Sequence, residues 1–125
     1  MEIKLNKTQM VFVVSTADFS DFSLFDSAMS SLNSKTKIRR IFYPNSGSVS
    51  IFSKKWAYEN GVETRQYFQK DRKQITDIFS NSFDLISVSF SSETQNDFVK
   101  SLCEKNATDY FRYRRVGPSL WREKI

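Results

Sequence analysis

Residues 9–14, Gln-Met-Val-Phe-Val-Val, form a nearly unbroken apolar run that stops at Ser15-Thr16. A run of strand length without polar alternation is the pattern of a strand covered on both faces, as in a parallel sheet held between helices. A polar turn follows it. From Phe22 the apolar spacing becomes helical, with Phe22, Phe25, Met29 and Leu32 on one face and Ser20 or Asp21 placed as a cap. A strand that feeds a helix through a short Ser/Thr/Asp loop is a usual construction of a phosphate or nucleotide cradle. The N–H groups at the helix start carry partial positive charge and hold an anion.

The same alternation continues along the chain. Residues 38–43 read as a second strand, broken by Pro44-Asn45-Ser46-Gly47-Ser48. Val49, Phe52 and Trp56 mark a second helix, stopped by Asn60-Gly61. Residues 62–68 form a third, more polar strand, nearer an edge. Residues 71–82 carry Ile75, Ile78 and Phe79 at helical spacing behind an Asp71/Gln74 cap pair. Residues 84–90 are a fourth strand, and Ser91-Ser92 turns into a helix holding Phe98, Val99 and Leu102, with Ser92 and Gln95 forming a capping box. Residues 108–116 form the fifth strand, and Gly117-Pro118 opens a tail containing Trp121.

Five strands alternating with four helices predict a Rossmann-like, doubly wound α/β fold. Its parallel sheet has helices on both faces and, by right-handed crossovers, the order 3-2-1-4-5. The chain is read as one domain over residues 1–125, with 117–125 as a C-terminal tail. In such sheets ligands bind beyond the carboxyl ends of the strands where the order reverses. That gathers three loops around one crevice: residues 15–18, 44–50 and 91–94.

Composition narrows the chemistry. The formal charge of +5 allows an anionic partner. Much of the excess lies in residues 35–40 and 112–115, where solvated strand ends are the simpler explanation. With no His at all, the chain lacks the commonest general base, the usual imidazole metal ligand and any Ser-His or Cys-His pair. Cys103 is the single cysteine, so no intrachain disulfide forms; a reduced, cytoplasmic setting fits, or the host cytoplasm if the source is viral. Cys103 follows Val99 at helical spacing and reads as a small buried hydrophobe, as Trp56 reads as core. No apolar run approaches the roughly 20 residues of a membrane span.

At this point the residues resemble a family. Val14-Ser15-Thr16-Ala17-Asp18-Phe19-Ser20-Asp21-Phe22 is similar to the strand-end Thr-Gly-Ser-Arg-Asp-Phe pattern of the small YspA-like members of the SLOG superfamily. That Rossmann-like group is related to the Lonely Guy enzymes and to DprA. Residues 44–50 leading to Trp56-Ala57, then Glu59-Asn60-Gly61-Val62, follow its second loop and helix. Residues 84–90 followed by Ser92-Glu93-Thr94 follow its fourth strand and helix start. The likeness spans roughly residues 9–115. Here Ser15 replaces a family Gly, Ala17 an Arg and Ser50 an Asp, and the Lonely Guy catalytic motif is absent. The resemblance therefore implies the fold and a nucleotide crevice more than it implies catalysis.

The expected ligand-binding residues are Ser15, Thr16 and Asp18 in the first loop, Asn45, Ser46, Gly47, Ser48 and Ser50 in the second, and Ser92, Glu93 and Thr94 in the third. No catalytic residue, metal or cofactor is assigned. The leading expectation is non-catalytic binding of a nucleotide-derived small molecule, of ADP-ribose or cyclic-nucleotide type, by a sensor or a sequestering sponge. The Ser-, Asn-, Lys- and Phe-rich make-up suits a phage or an AT-rich bacterium, so counter-defence is its specific form. One alternative is a nucleic-acid or protein-interaction module using the alternating aromatic and Arg residues 110–115. The other is a nucleotide glycosidic-bond hydrolase with Asp18, Glu93 or Asp84 as acid or base. The aromatic and aliphatic end of the chain, Tyr110, Phe111, Tyr113, Leu120, Trp121 and Ile125, predicts a homo-oligomer contacting through strand 5 or the tail.

Overall fold

The structure is a computed structural model that describes residues 7–16, 19–82, 84–90 and 97–125. The elements run β1 (Thr8–Val14), α1 (Phe22–Lys35), β2 (Lys37–Pro44), α2 (Ser48–Asn60), β3 (Glu63–Tyr67), α3 (Arg72–Ser80), β4 (Leu85–Ser89), α4 (Asp97–Asn106), β5 (Tyr110–Val116) and β6 (Ser119–Lys124). They build one sheet of order β3-β2-β1-β4-β5-β6 with helices on both faces. The first five strands are parallel, in the expected order, and β6 is antiparallel. This is a Rossmann-like α/β fold with one added strand.

The apolar run of β1 explains the layering. Val11 and Val13 join the core beneath α1 and α2, where Leu24, Phe25, Met29 and Trp56 are buried. Met10, Phe12 and Val14 join the opposite core beneath α3 and α4, with Ile75, Phe79, Val99 and Leu102. Both sets are apolar because neither face of the strand meets water. Phe12 has no exposed surface, stacks on Tyr67 at 4.3 Å and meets Phe79 at 5.0 Å. Tyr67, from edge strand β3, reaches back to β1, its hydroxyl donating to the Val13 carbonyl at 2.6 Å. The one polar residue of the run, Gln9, donates to the Leu32 and Thr36 carbonyls at the C-terminus of α1. Trp56 is fully buried and donates to Ser30 Oγ at 3.2 Å.

Local signals hold at most element ends. Asp21 caps α1 by accepting from the Leu24 N–H, and Asp71 caps α3 by accepting from the Gln74 N–H. The Asp71/Gln74 box is half-formed, because the Gln74 amide oxygen accepts from the Phe68 N–H instead of from Asp71. Gly61, at φ 66°, stops α2 in the left-handed conformation that costs glycine little. Pro44 does not break β2 but ends it, still opposite Tyr67. The Ser92/Gln95 box lies outside the described residues.

The end of the chain departs from expectation. Residues 117–125, expected as a tail, fold back as β6. Val116 pairs with Ser119, leaving Gly117-Pro118 as a two-residue loop. Gly117 has φ 59°. A positive φ followed by proline, whose φ is negative, is the pattern of a type II′ hairpin turn, whose twist matches antiparallel strands. The sheet is therefore mixed, and Leu120 and Ile125 each pack against a core instead of hanging free.

Phe12→Ala should lower unfolding free energy by about 3–5 kcal/mol, the cost of a large cavity beside the Tyr67 and Phe79 rings. Urea unfolding followed by circular dichroism measures it; a loss below about 1 kcal/mol would show that β1 is not packed on this face.

Candidate functional site

The sheet order reverses at β1, which pairs with β2 on one side and β4 on the other. Two expected loops leave the carboxyl ends of β1 and β2 side by side. After β1, Ser15 Oγ donates to the Thr16 carbonyl, which also accepts from the Phe19 N–H, so the chain turns at once. Ser15 and Thr16 are half-buried. After β2, Asn45, Ser46 and Gly47 are exposed. The Asn45 side-chain oxygen accepts from the Gln69 N–H, and Ser46 Oγ donates to the Gln69 amide oxygen, each at 3.0 Å. The second loop is thus braced by the β3–α3 connection. Ser48 opens α2 half-buried, whereas Ser50 is buried, its N–H donating to the Gly47 carbonyl. Asp18, Ser92, Glu93 and Thr94 lie outside the described residues.

The two helix starts differ in a way that matters for an anion. Asp21 fills the N-terminus of α1 with its own carboxylate, and the Arg115 guanidinium pairs with that carboxylate at 3.2 Å. α2 begins at Gly47, at φ 91° and ψ 165°, with no side-chain capping bond. Its first N–H groups therefore lack the carboxylate that α1 has, and this is the arrangement that binds phosphate. A backbone in this region is open essentially to glycine alone. Among the helix starts that the described residues include, those of α1 and α3 carry an Asp cap, and the Gly47 start combines an uncapped helix with a loop free of bulky side chains.

Below the loops, on the α1/α2 side, aromatic rings close the sheet end. Phe19 meets Phe52 at 6.1 Å and Phe90 at 5.3 Å; Phe25 meets Phe90 at 5.0 Å; Phe90 stacks on Tyr113 at 5.9 Å. These rings come from five separate segments, and no local spacing in the sequence joins them. The Phe90 N–H donates to the Val14 carbonyl, extending the β1–β4 pairing to the edge of the site.

Much of the positive charge is spent on internal pairs. Arg39 grips Asp84 at 2.8 Å, and Arg40 and Arg65 share Glu63. Arg112 pairs with Glu123 across the hairpin, Arg114 lies 3.8 Å from the same carboxylate, and Arg115 holds Asp21. Residues 112–115 thus brace the sheet instead of forming a row of unpaired cations. Asp84 precedes β4, with its carbonyl accepting from the Met10 N–H. It sits at the amino end of the parallel sheet, opposite the strand-end loops. The expectation of Asp84 as an acid or base there is therefore corrected: its carboxylate is an Arg39 partner. Cys103 is buried, and desolvation pushes its thiol up to about 12, so it is no nucleophile.

Among the described residues no group of His, Cys, Asp and Glu could hold a metal ion, and no helix is long and apolar enough to cross a membrane. A groove of about 500 Å³ runs along α3, lined by Arg40, Phe42, Asp77 and Ile78 among others. It lies beside the sheet, not across the strand ends. The fold and its strand-end loops define a Rossmann-like α/β domain. No protein-family model matches the chain, and no curated protein matches it.

The Leu24 N–H, followed by the Arg115 guanidinium, outweighs desolvation and holds the Asp21 carboxyl below the ordinary range. Its contribution to stability is therefore complete above the unfolded value of about 3.9 and is lost as pH falls through the folded value. Asp21→Asn keeps a capping oxygen but loses the ion pair. It should cost less than about 1 kcal/mol at neutral pH, and the difference should vanish in strong acid. Urea titrations at both pH values measure this; a difference that grows on acidification would contradict the assignment.

Proposed function

We propose that this chain is a non-catalytic binder of a nucleotide or nucleotide-derived signal, of ADP-ribose or cyclic-nucleotide type, held in the crevice at the carboxyl ends of β1 and β2. The observation that carries the reading is the start of α2: Gly47 and Ser48 present N–H groups without a side-chain cap beside the reversal of strand order. Thr16 and Ser15 supply hydroxyls at the neighbouring loop. The net charge of +5 draws anions toward the domain. The resemblance to small SLOG proteins supports the same ligand class, and the lack of His together with the pairing of Asp84 favours binding over turnover. In this reading the protein acts in the cytoplasm as a sensor or as a sponge, and in a phage it would remove a host defence signal.

Calorimetry against mono-, di- and cyclic nucleotides and ADP-ribose tests it, with Ser48→Glu as the diagnostic variant. A carboxylate in the first turn favours the α2 dipole, so the melting temperature should hold or rise. The same charge opposes a phosphate and should weaken binding about tenfold or more. No heat from any compound with folded protein, or equal affinity in Ser48→Glu, would overturn the proposal.

A further inference from the structure

The outer edge of β6 carries a second feature, independent of the crevice. The Ile125 N–H donates to the Tyr110 carbonyl at 2.8 Å. In an antiparallel ladder hydrogen-bonded pairs recur at every second residue. Ser119, Trp121 and Glu123 therefore turn their backbone groups toward β5, and Leu120, Arg122 and Lys124 turn theirs outward. The register runs one-to-one from Phe111 opposite Lys124 to Val116 opposite Ser119, without a bulge. Among the described residues no strand lies beyond β6, and its six residues hold no Gly or Pro, so this edge is available for pairing.

The two sheet edges are guarded differently. On β3, Glu63, Arg65 and Gln66 are exposed, and Glu63 is tied between Arg40 and Arg65 along the edge. On β6 the cations are drawn back onto their own protomer. Arg122 lies over the Phe111 ring at 4.5 Å, and Lys124 pairs with Asp109 at 3.3 Å. Trp121 is left 50% exposed, on the face of the hairpin that carries Arg114, its partner in register.

We propose that β6 pairs antiparallel with β6 of a second copy of this chain about a twofold axis at Trp121, joining the two sheets into one of twelve strands. In this register Leu120 and Arg122 exchange their outward hydrogen bonds with Arg122 and Leu120 of the second copy. Trp121 faces its own counterpart in a non-hydrogen-bonded pair, the closer of the two kinds, where cross-strand aromatic contacts are favourable. A twofold axis at Arg122 would bring Lys124 into the pairing, opposite Leu120, but set Arg122 against Arg122, a like-charge pair directly across the strands. The structure of the edge therefore selects the tryptophan-centred register. The occupant is a second copy because the edge is self-complementary under this axis, and an isologous contact closes on itself as a dimer.

Sedimentation across a micromolar range should show a reversible dimer. Arg122→Pro deletes an outward N–H without touching the β5 ladder, and should sediment as a monomer with an unchanged circular dichroism spectrum. Under mild oxidation Trp121→Cys should cross-link to a covalent dimer, because paired residues at this spacing suit a disulfide. Ser119→Cys, whose counterpart in the proposed register is Glu123, should not. Wild type should also stay uncross-linked, since Cys103 is buried. A monomeric wild type, a Trp121→Cys protein that does not cross-link, or a folded Arg122→Pro protein that still dimerises would each overturn the proposal. If Arg122→Pro does not fold, the two cysteine variants decide the matter.

Discussion

Both faces of β1 are sealed from water, and the other elements are arranged to seal them. Five consecutive apolar side chains, Met10 to Val14, point alternately into two cores. Each fully buried aliphatic or aromatic side chain of this kind contributes roughly 1.5–3 kcal/mol, so neither face can be left bare. Two helices must cover one side and two the other. With right-handed crossovers, the chain then has to leave β1 in one direction for β2 and β3, and in the other for β4 and β5. The reversal of strand order at β1, and with it the side-by-side placement of the β1 and β2 loops, follows from the same constraint that stabilises the domain.

Within that frame, the two loops beside the crevice have different tasks. The β1–α1 turn is closed by the Asp21 cap, by Arg115 reaching from β5, and by Phe19 packing into the aromatic group around Phe90. It holds the sheet end together. The β2–α2 turn is braced from outside by Gln69, while the α2 start lacks a side-chain cap. The loop is thus held in place while the first N–H groups of α2 carry no side-chain cap.

Features written in short-range patterns were legible in the sequence. The unbroken run of β1, the Asp21 and Asp71 caps, the Gly61 stop and the alternation of strand and helix each depend on residues a few positions apart, and together they give the strand order. What escaped depends on contacts across the fold. The Gly117-Pro118 turn was readable as a hairpin only if residues 119–124 had a strand to return to, and their mixed charges hid that strand. The pairing of Asp84 with Arg39 spans 45 positions and removes an apparent acid from the crevice. Ser87 and Ser89 look like surface residues of an alternating strand, yet both are buried, Ser87 Oγ donating to the Phe12 carbonyl. Of the candidate loops, the placement of Ser15/Thr16 after β1 and of Asn45–Ser48 after β2 was legible in the sequence. Their unequal capping was not, because an Asp and a Gly are both ordinary residues at a helix start.

Native-state hydrogen exchange tests the organising role of β1 most directly. If its burial on both faces holds the domain together, the amides of Val11, Phe12 and Val13 exchange only through global unfolding. Their exchange free energies should then match the unfolding free energy from urea and fall with denaturant at the full global slope. Amides of β6 should open at lower free energy and with a smaller slope. Exchange of the β1 amides through a local opening, while α4 or the β5–β6 hairpin stays protected, would contradict the account.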